Sequence, residues 1–183
     1  MNDFIDQVER SLGQGTYYLS LMGALAIPDI AGAIQSTNGE ASGQKYIDWY
    51  ERWARPQYAK RMKQALPPGV REFVPPENPL SGDACYRFRC SMLHQGTTQH
   101  PRSPFTRIIF IEPGACDSVL HYNILNDALN IDLPKFVCEM ASGAREWLAH
   151  IEHDATFIAN SEKSARRYEN GLPPYISGVA VIS

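Results

Sequence analysis

Three features of the sequence predict a mainly α-helical fold. Apolar residues recur at spacings of three and four in several segments, most clearly in the stripe Leu133, Phe136, Val137, Met140, Ala144, Trp147, Leu148 and Ile151. Helix boundary signals stand where such patterns begin and end, among them Asp132 ahead of Pro134, and Gly96. β-rich runs are confined to residues 106–126 and the last few positions. The chain reads as one domain, 1–183. N-terminal helices occupy 1–65, a proline-rich loop 66–79, a helix 80–96, a small β-hairpin 106–126, a long final helix 132–158 and a tail 159–183.

Each element has a local cause. Phe4, Ile5, Val8 and Leu12 repeat at helical spacing behind Asn2 or Asp3 as caps, and Gly13 and Gly15 interrupt the pattern. Tyr17 to Ala26 is apolar on nearly every side, as in a helix buried among others, and Pro28 is expected to bend or restart it before Ile30 to Ile34. Tyr46, Trp49, Tyr50 and Trp53 form an aromatic stripe suited to a core or a dimer interface. Five prolines in residues 66–79 forbid a regular element of any length there. Ser81 and its neighbours offer caps for a helix that ends at Gln95, with Gly96 suited to the left-handed residue beyond it. Arg107 to Glu112 and Val119 to Leu125, joined by PGACDS, read as the two arms of the hairpin. Leu120, Tyr122 and Ile124 then share one face, and His121 and Asn123 the other.

Composition narrows the class. At 183 residues, 44% hydrophobic and 20% charged, the chain is long enough for a sizeable core and matches ordinary globular usage. A formal charge of −3 argues against a globally basic nucleic-acid binder but says nothing of local patches. Cys85, Cys90, Cys116 and Cys138 sit in largely apolar runs, which suits reduced thiols in the cytoplasm. The beginning MNDFIDQVER lacks the basic and then apolar pattern of a signal peptide. The apolar stretch Tyr17 to Ile27 falls short of the roughly 20 residues of a membrane span, so no membrane partner is expected.

Charge is distributed unevenly. Between Asp83 and Glu112 there is no acid, while Arg87, Arg89, Arg102 and Arg107 are joined by His94 and His100. This stretch carries +4, leaving −7 for the remainder of a chain of net charge −3. Clustered arginines attract phosphate by charge and by forked hydrogen bonding, which makes an anion the expected ligand. The other reading places them on a solvated face, paired with acids from elsewhere. A zinc site is unsupported: Cys90 and His94 have Cys85 and His100 nearby, but Cys85 and Cys90 are five apart and form no tight knuckle. His150 and His153 fit an ordinary exposed helix face. Cys90 lacks an orienting third group for nucleophilic work. GQG at 13–15 is not preceded by a strand and lacks the spacing of a phosphate loop. No metal or cofactor is called for.

Arg89-Cys-Ser-Met-Leu-His94, an Arg-x4-His pattern at the end of a helix, resembles the signature of the HEPN superfamily of helical nucleotide-binding domains. The order of elements over residues 14–155 is similar too, with apolar helices first, the motif on a later helix, and a long amphipathic helix after it. The resemblance implies a HEPN-like bundle, a homodimer with the two motif helices facing across a cleft, and metal-independent cleavage of RNA, as in bacterial defence and toxin systems. In that scheme His94 removes the 2′-hydroxyl proton and Arg89 holds the phosphate, a division that suits an imidazole titrating near neutrality and a guanidinium that stays charged. Positions 89 and 94 differ by about 140° around a helix, whereas Arg87, Cys90, Ser91 and His94 lie near one line, so Arg87 is the better placed partner by helix geometry. Ser91, Arg102 and Arg107 are candidate phosphate contacts. The alternative is a catalytically silent bundle that binds a nucleotide or a protein through the same patch.

Overall fold

The computed structural model describes residues 1–67, 74–117 and 120–183. Helix occupies about 53% of the chain, so the mainly α class holds. The helices are α1 (Asn2–Gly13), α2 (Tyr17–Ile34), α3 (Gly43–Trp49), α4 (Pro56–Ala65), α5 (Gly82–Gln95), α6 (Leu133–Ile151) and α7 (Ala155–Ser161), with a π-helical turn over Tyr50–Ala54 between α3 and α4. Helix α2 packs against α1, α3, α5 and α6, which makes it the centre of the bundle. By length and composition it could cross a membrane, but half of it is buried in the fold, as befits a core helix. It runs through Pro28 instead of restarting there. Pro28 lacks one N–H, and the burial of Ala24, Leu25, Ile27 and Ala31 around it holds the helix across that lost bond.

The aromatic stripe lies in the protein's own core. Tyr46, Trp49 and Tyr50 are buried, Trp53 is half-buried, and Trp49 meets Trp147 of α6 edge to face with centroids 6.2 Å apart. The Trp147 indole N–H is satisfied by the Gln35 side-chain oxygen at 2.9 Å. The stripe therefore lends no support to a dimer. Helix α6 reaches the π-helical turn closely enough that a methyl added at Gly143 would sit 2.6 Å from the Trp53 carbonyl oxygen.

Two expectations about the second half are corrected. Residues 106–126 do not form one hairpin: β1 (Arg107–Ile111) pairs in parallel with β3 (Ala128–Asp132), and β2 (Asn123–Leu125) pairs antiparallel with β3, in the order β1-β3-β2. The tight turn is Asn126-Asp127, both left-handed with φ of 50° and 58°, a two-residue loop whose twist suits a hairpin. Tyr122 is left-handed as well, which breaks the expected alternation, and His121 and Tyr122 are both buried. Of that predicted arm, Val119 lies outside the described residues. The long helix ends at Ile151 rather than near Ile158, because the Asp154 side chain accepts the Phe157 N–H at 2.8 Å and starts α7 afresh.

The tail forms two short ribbons, β4 (Arg167–Tyr168) with β7 (Val181–Ile182) and β5 (Gly171–Leu172) with β6 (Ile176–Ser177). The described ends of the proline-rich loop are irregular, as expected; residues 68–73 lie outside the described set. Its far end is pinned where Arg55 donates twice to the Asn78 carbonyl, at 3.0 and 2.8 Å.

Gly143 gives a test with a definite sign. On an exposed helix a Gly→Ala change stabilises by about 1 kcal/mol. Here Gly143→Ala is expected to destabilise by about 1–3 kcal/mol through overpacking on backbone, read as a lower denaturation midpoint. An unchanged or raised midpoint would contradict this packing.

Candidate functional site

Helix α5 is delimited by its own sequence and by one neighbour. Ser81 accepts the Ala84 N–H at 3.2 Å, and Glu51 accepts the Gly82 N–H at 2.6 Å. At the other end Gly96 is left-handed with φ 65°, and the N–H groups of Gly96 and Thr97 return to the carbonyls of Met92 and Ser91. This cap sets His94 in the last turn, exposed to solvent.

Arg89 joins three groups. Its Nε donates to Asp29 of α2 at 2.6 Å, its NH1 meets the His94 Nε2 at 2.9 Å, and the same NH1 lies 3.9 Å from the Cys90 Sγ. The roughly 140° between positions 89 and 94 is thus bridged by the length of the arginine side chain. A guanidinium can only donate, so this bond assigns the lone pair of His94 to Nε2 and its proton to Nδ1. Arg89 and Asp29 are both mostly buried, with side chains 18% and 15% exposed. Burial raises the Asp29 carboxyl above its ordinary value, outweighing the pull of Arg89. Burial works against the Arg89 charge, yet Asp29 still holds that charge in place and raises its value.

The remaining predicted residues are placed elsewhere. Arg87 is about 200° from Arg89 around the helix. Its Nε donates to Asp83 at 2.6 Å, which pulls the Asp83 carboxyl below its usual range. Helix geometry had favoured Arg87 as the partner of His94, and the Asp83 ion pair draws it toward the opposite end of α5. Arg102 and His100 lie close enough to Asp83 to act on its charge, so they belong with Arg87. Ser91 is buried, with no hydrogen-bond partner for its hydroxyl among the described residues, and cannot meet a phosphate in solvent. Arg107 is exposed at the start of β1. The predicted basic cluster therefore divides: two of its arginines are paired with Asp83 and Asp29, as the other reading has it, but Arg89 makes its pair in a mostly buried seam and not on a solvated face.

Sequence reasoning missed Asp29, which lies 60 positions from Arg89 and carries no local signal beyond an acid on an apolar helix. It also missed a second polar group in the core. Glu139 of α6 is buried and meets the His121 Nε2 at 3.0 Å, while the Tyr122 hydroxyl donates to its other oxygen at 2.8 Å. The His121 Nδ1 has no partner among the described residues. Among the described residues no set of three or more His, Cys, Asp or Glu side chains is arranged to hold a metal ion.

A pocket of about 240 Å³ opens between α2 and the α3 to π-turn segment, lined by Gly32, Ser36, Lys45, Trp49, Arg52 and Trp53 among others. The Trp49 indole N–H at its wall is buried with no acceptor among the described residues, and a buried donor left unpaired ordinarily costs about 1–3 kcal/mol. Comparisons with protein-family models, with curated proteins and with solved structures gave no match to this chain.

Beneath Arg89 the helix seam is apolar. The Tyr46 hydroxyl lies 3.4 Å from the Cys85 Sγ, and burial pushes the Cys85 thiol up to about 12. Below that value the thiol keeps its proton and is a poor nucleophile. In the native protein at pH 8, timed iodoacetamide labelling read by mass spectrometry is expected to modify exposed Cys116 early and Cys85 only after denaturant is added. Early labelling of Cys85 would contradict its burial.

Proposed function

We propose that the Asp29, Arg89 and His94 face binds a phosphodiester of RNA and cleaves it without a metal, as a HEPN-like homodimer acting in the cytoplasm. The observation that carries this reading is the 2.9 Å contact between Arg89 and the exposed imidazole of His94. In the resting protein the basic lone pair of His94 is occupied by Arg89. An incoming phosphate oxygen is a stronger acceptor for that donor. Its arrival draws the NH1 away from the ring and frees Nε2 beside the ribose. The 2′-oxygen then loses its proton to Nε2 and bonds to phosphorus, while the bond to the 5′-oxygen breaks and that oxygen takes a proton from water, whose hydroxide is neutralised by the proton that the ring gives back to solvent. A 2′,3′-cyclic phosphate and a 5′-hydroxyl are the products. Arg89 stabilises charge on the non-bridging oxygens throughout, and Asp29 keeps the guanidinium turned toward the reaction.

The ion pair with Asp29 also supports a second reading. A guanidinium already neutralised by a carboxylate attracts phosphate less, which favours a silent domain that binds a nucleotide or a protein partner through this face.

Purified protein incubated with mixed RNA in chelator separates the two. Cleavage with cyclic-phosphate ends is expected, reduced by roughly 10²-fold or more in both His94→Ala and Arg89→Ala. Arg87→Ala, whose partner is Asp83, is expected to retain activity within about threefold, in line with an exposed ion pair. Cleavage that survives either of the first two changes, or none at all in the unaltered protein, would overturn the nuclease reading.

A further inference from the structure

The pocket between α2 and the π-helical turn has features that the cleavage site does not use. Asp29 and the pocket-lining Gly32 are three residues apart on α2, which puts them about 60° apart around the axis and about 4.5 Å apart along it. The pocket thus opens less than one turn of α2 from the Arg89 ion pair. Gly32 lets α3 come close: a methyl added there would lie 3.1 Å from the Lys45 Cβ. The Lys45 ammonium donates to the Asn38 side-chain oxygen and the Glu40 carbonyl, at 2.9 and 2.7 Å, and no carboxylate pairs with it among the described residues. The Arg52 guanidinium lies 4.9 Å over the Trp53 ring and touches His150, again without a carboxylate among the described residues. Two cations with neutral partners therefore stand beside two indoles, and the one carboxylate on the described wall, Asp48, accepts from the Gln44 amide at 2.8 Å instead of from either cation. One of those indoles, Trp49, is buried with a donor that has no acceptor among the described residues. The π-helical turn that carries Arg52 and Trp53 is a form of helix often retained at functional sites.

We infer that this pocket is a subsite for one unpaired base of an RNA strand, with its 5′-phosphate on Lys45 and Arg52 and its flat ring on the Arg52 and Trp53 platform. A planar aromatic anion matches this chemistry: bases stack on indoles and on guanidinium planes irrespective of sequence, and the cations hold the backbone. A volume near 240 Å³ is below the roughly 300 Å³ at which drug-sized sites begin, which leaves room for a single base. The inference takes RNA as the polymer from the reading above, but binding here does not require His94.

The test is a titration of the full chain, following tryptophan emission, with adenosine 5′-monophosphate, uridine 5′-monophosphate, ribose 5-phosphate and inorganic phosphate. Both nucleotides are expected to quench emission saturably, and the two probes without a base are expected to bind at least about tenfold more weakly, the lower range of what base stacking contributes. Trp53→Phe is expected to alter the quench and retain binding. Arg52→Glu, at an exposed position, is expected to weaken nucleotide binding at least about tenfold, since it reverses a charge at the phosphate. No saturable quenching, equal binding of phosphate alone, or an unchanged affinity in Arg52→Glu would overturn the subsite. Nucleotide binding without RNA cleavage would remove the nuclease reading and leave the subsite standing. Cleavage without nucleotide binding would do the reverse.

Discussion

A guanidinium cannot rest in the seam between two helices without a negative partner, because the cost of an unpaired charge away from water exceeds most single stabilising contacts in a protein. Arg89 meets that condition through Asp29, and the rest of the candidate site follows from it. The ion pair ties α5 to the central helix α2. It leaves one guanidinium edge free to hold the imidazole of His94, and so determines which ring nitrogen carries the proton. It also separates Arg89 from Arg87, whose own acid lies one turn back on the same helix. The same bond that orders the site reduces its attraction for anions, so the placement of Asp29 bears on both functional readings at once.

The core explains why a pocket stands open beside that seam. Trp147, Trp49, Tyr46 and Tyr50 fill the space between α2, α3 and α6, and the close approach at Gly143 presses α6 onto the backbone of the π-helical turn. Inside that turn the Arg55 N–H reaches back five residues to the Tyr50 carbonyl at 2.9 Å. The extra residue per turn shifts the faces of the following side chains. Trp53, spaced by the sequence to continue the buried stripe, is left half-exposed at the rim with Arg52 over its ring. A packing constraint in the core is thereby turned into an aromatic surface beside two cations.

Legibility varied with the range of the interaction involved. Helix α5 could be read almost residue by residue, since Ser81 and Gly96 act on backbone groups within a turn of themselves. The start of α6 at Asp132 was equally clear, through the side chain that accepts the Lys135 N–H. Its end was not, because the apolar spacing continues past Ile151 while a single aspartate decides the break. The sheet was misread for a related reason. Asn126-Asp127 is a strong turn dipeptide, but PGACDS is longer and richer in turn residues, and only the pairing of Ile108 with Leu129 and Ile124 shows which turn closes a ladder.

Taken alone, the sequence determined the helical class, the limits of the motif helix, and hence the place of His94 in its last exposed turn. These rest on dihedral preferences and caps that operate over three or four residues. The tertiary structure decided that Arg89 rather than Arg87 meets that histidine, that Ser91 is sealed inside, that β1 lies parallel to β3, and that Lys45, Arg52 and Trp53 share a pocket. Each of these depends on how helices and strands far apart in the chain pack together. A helical period says which residues share a face, but not which distant side chain that face will meet.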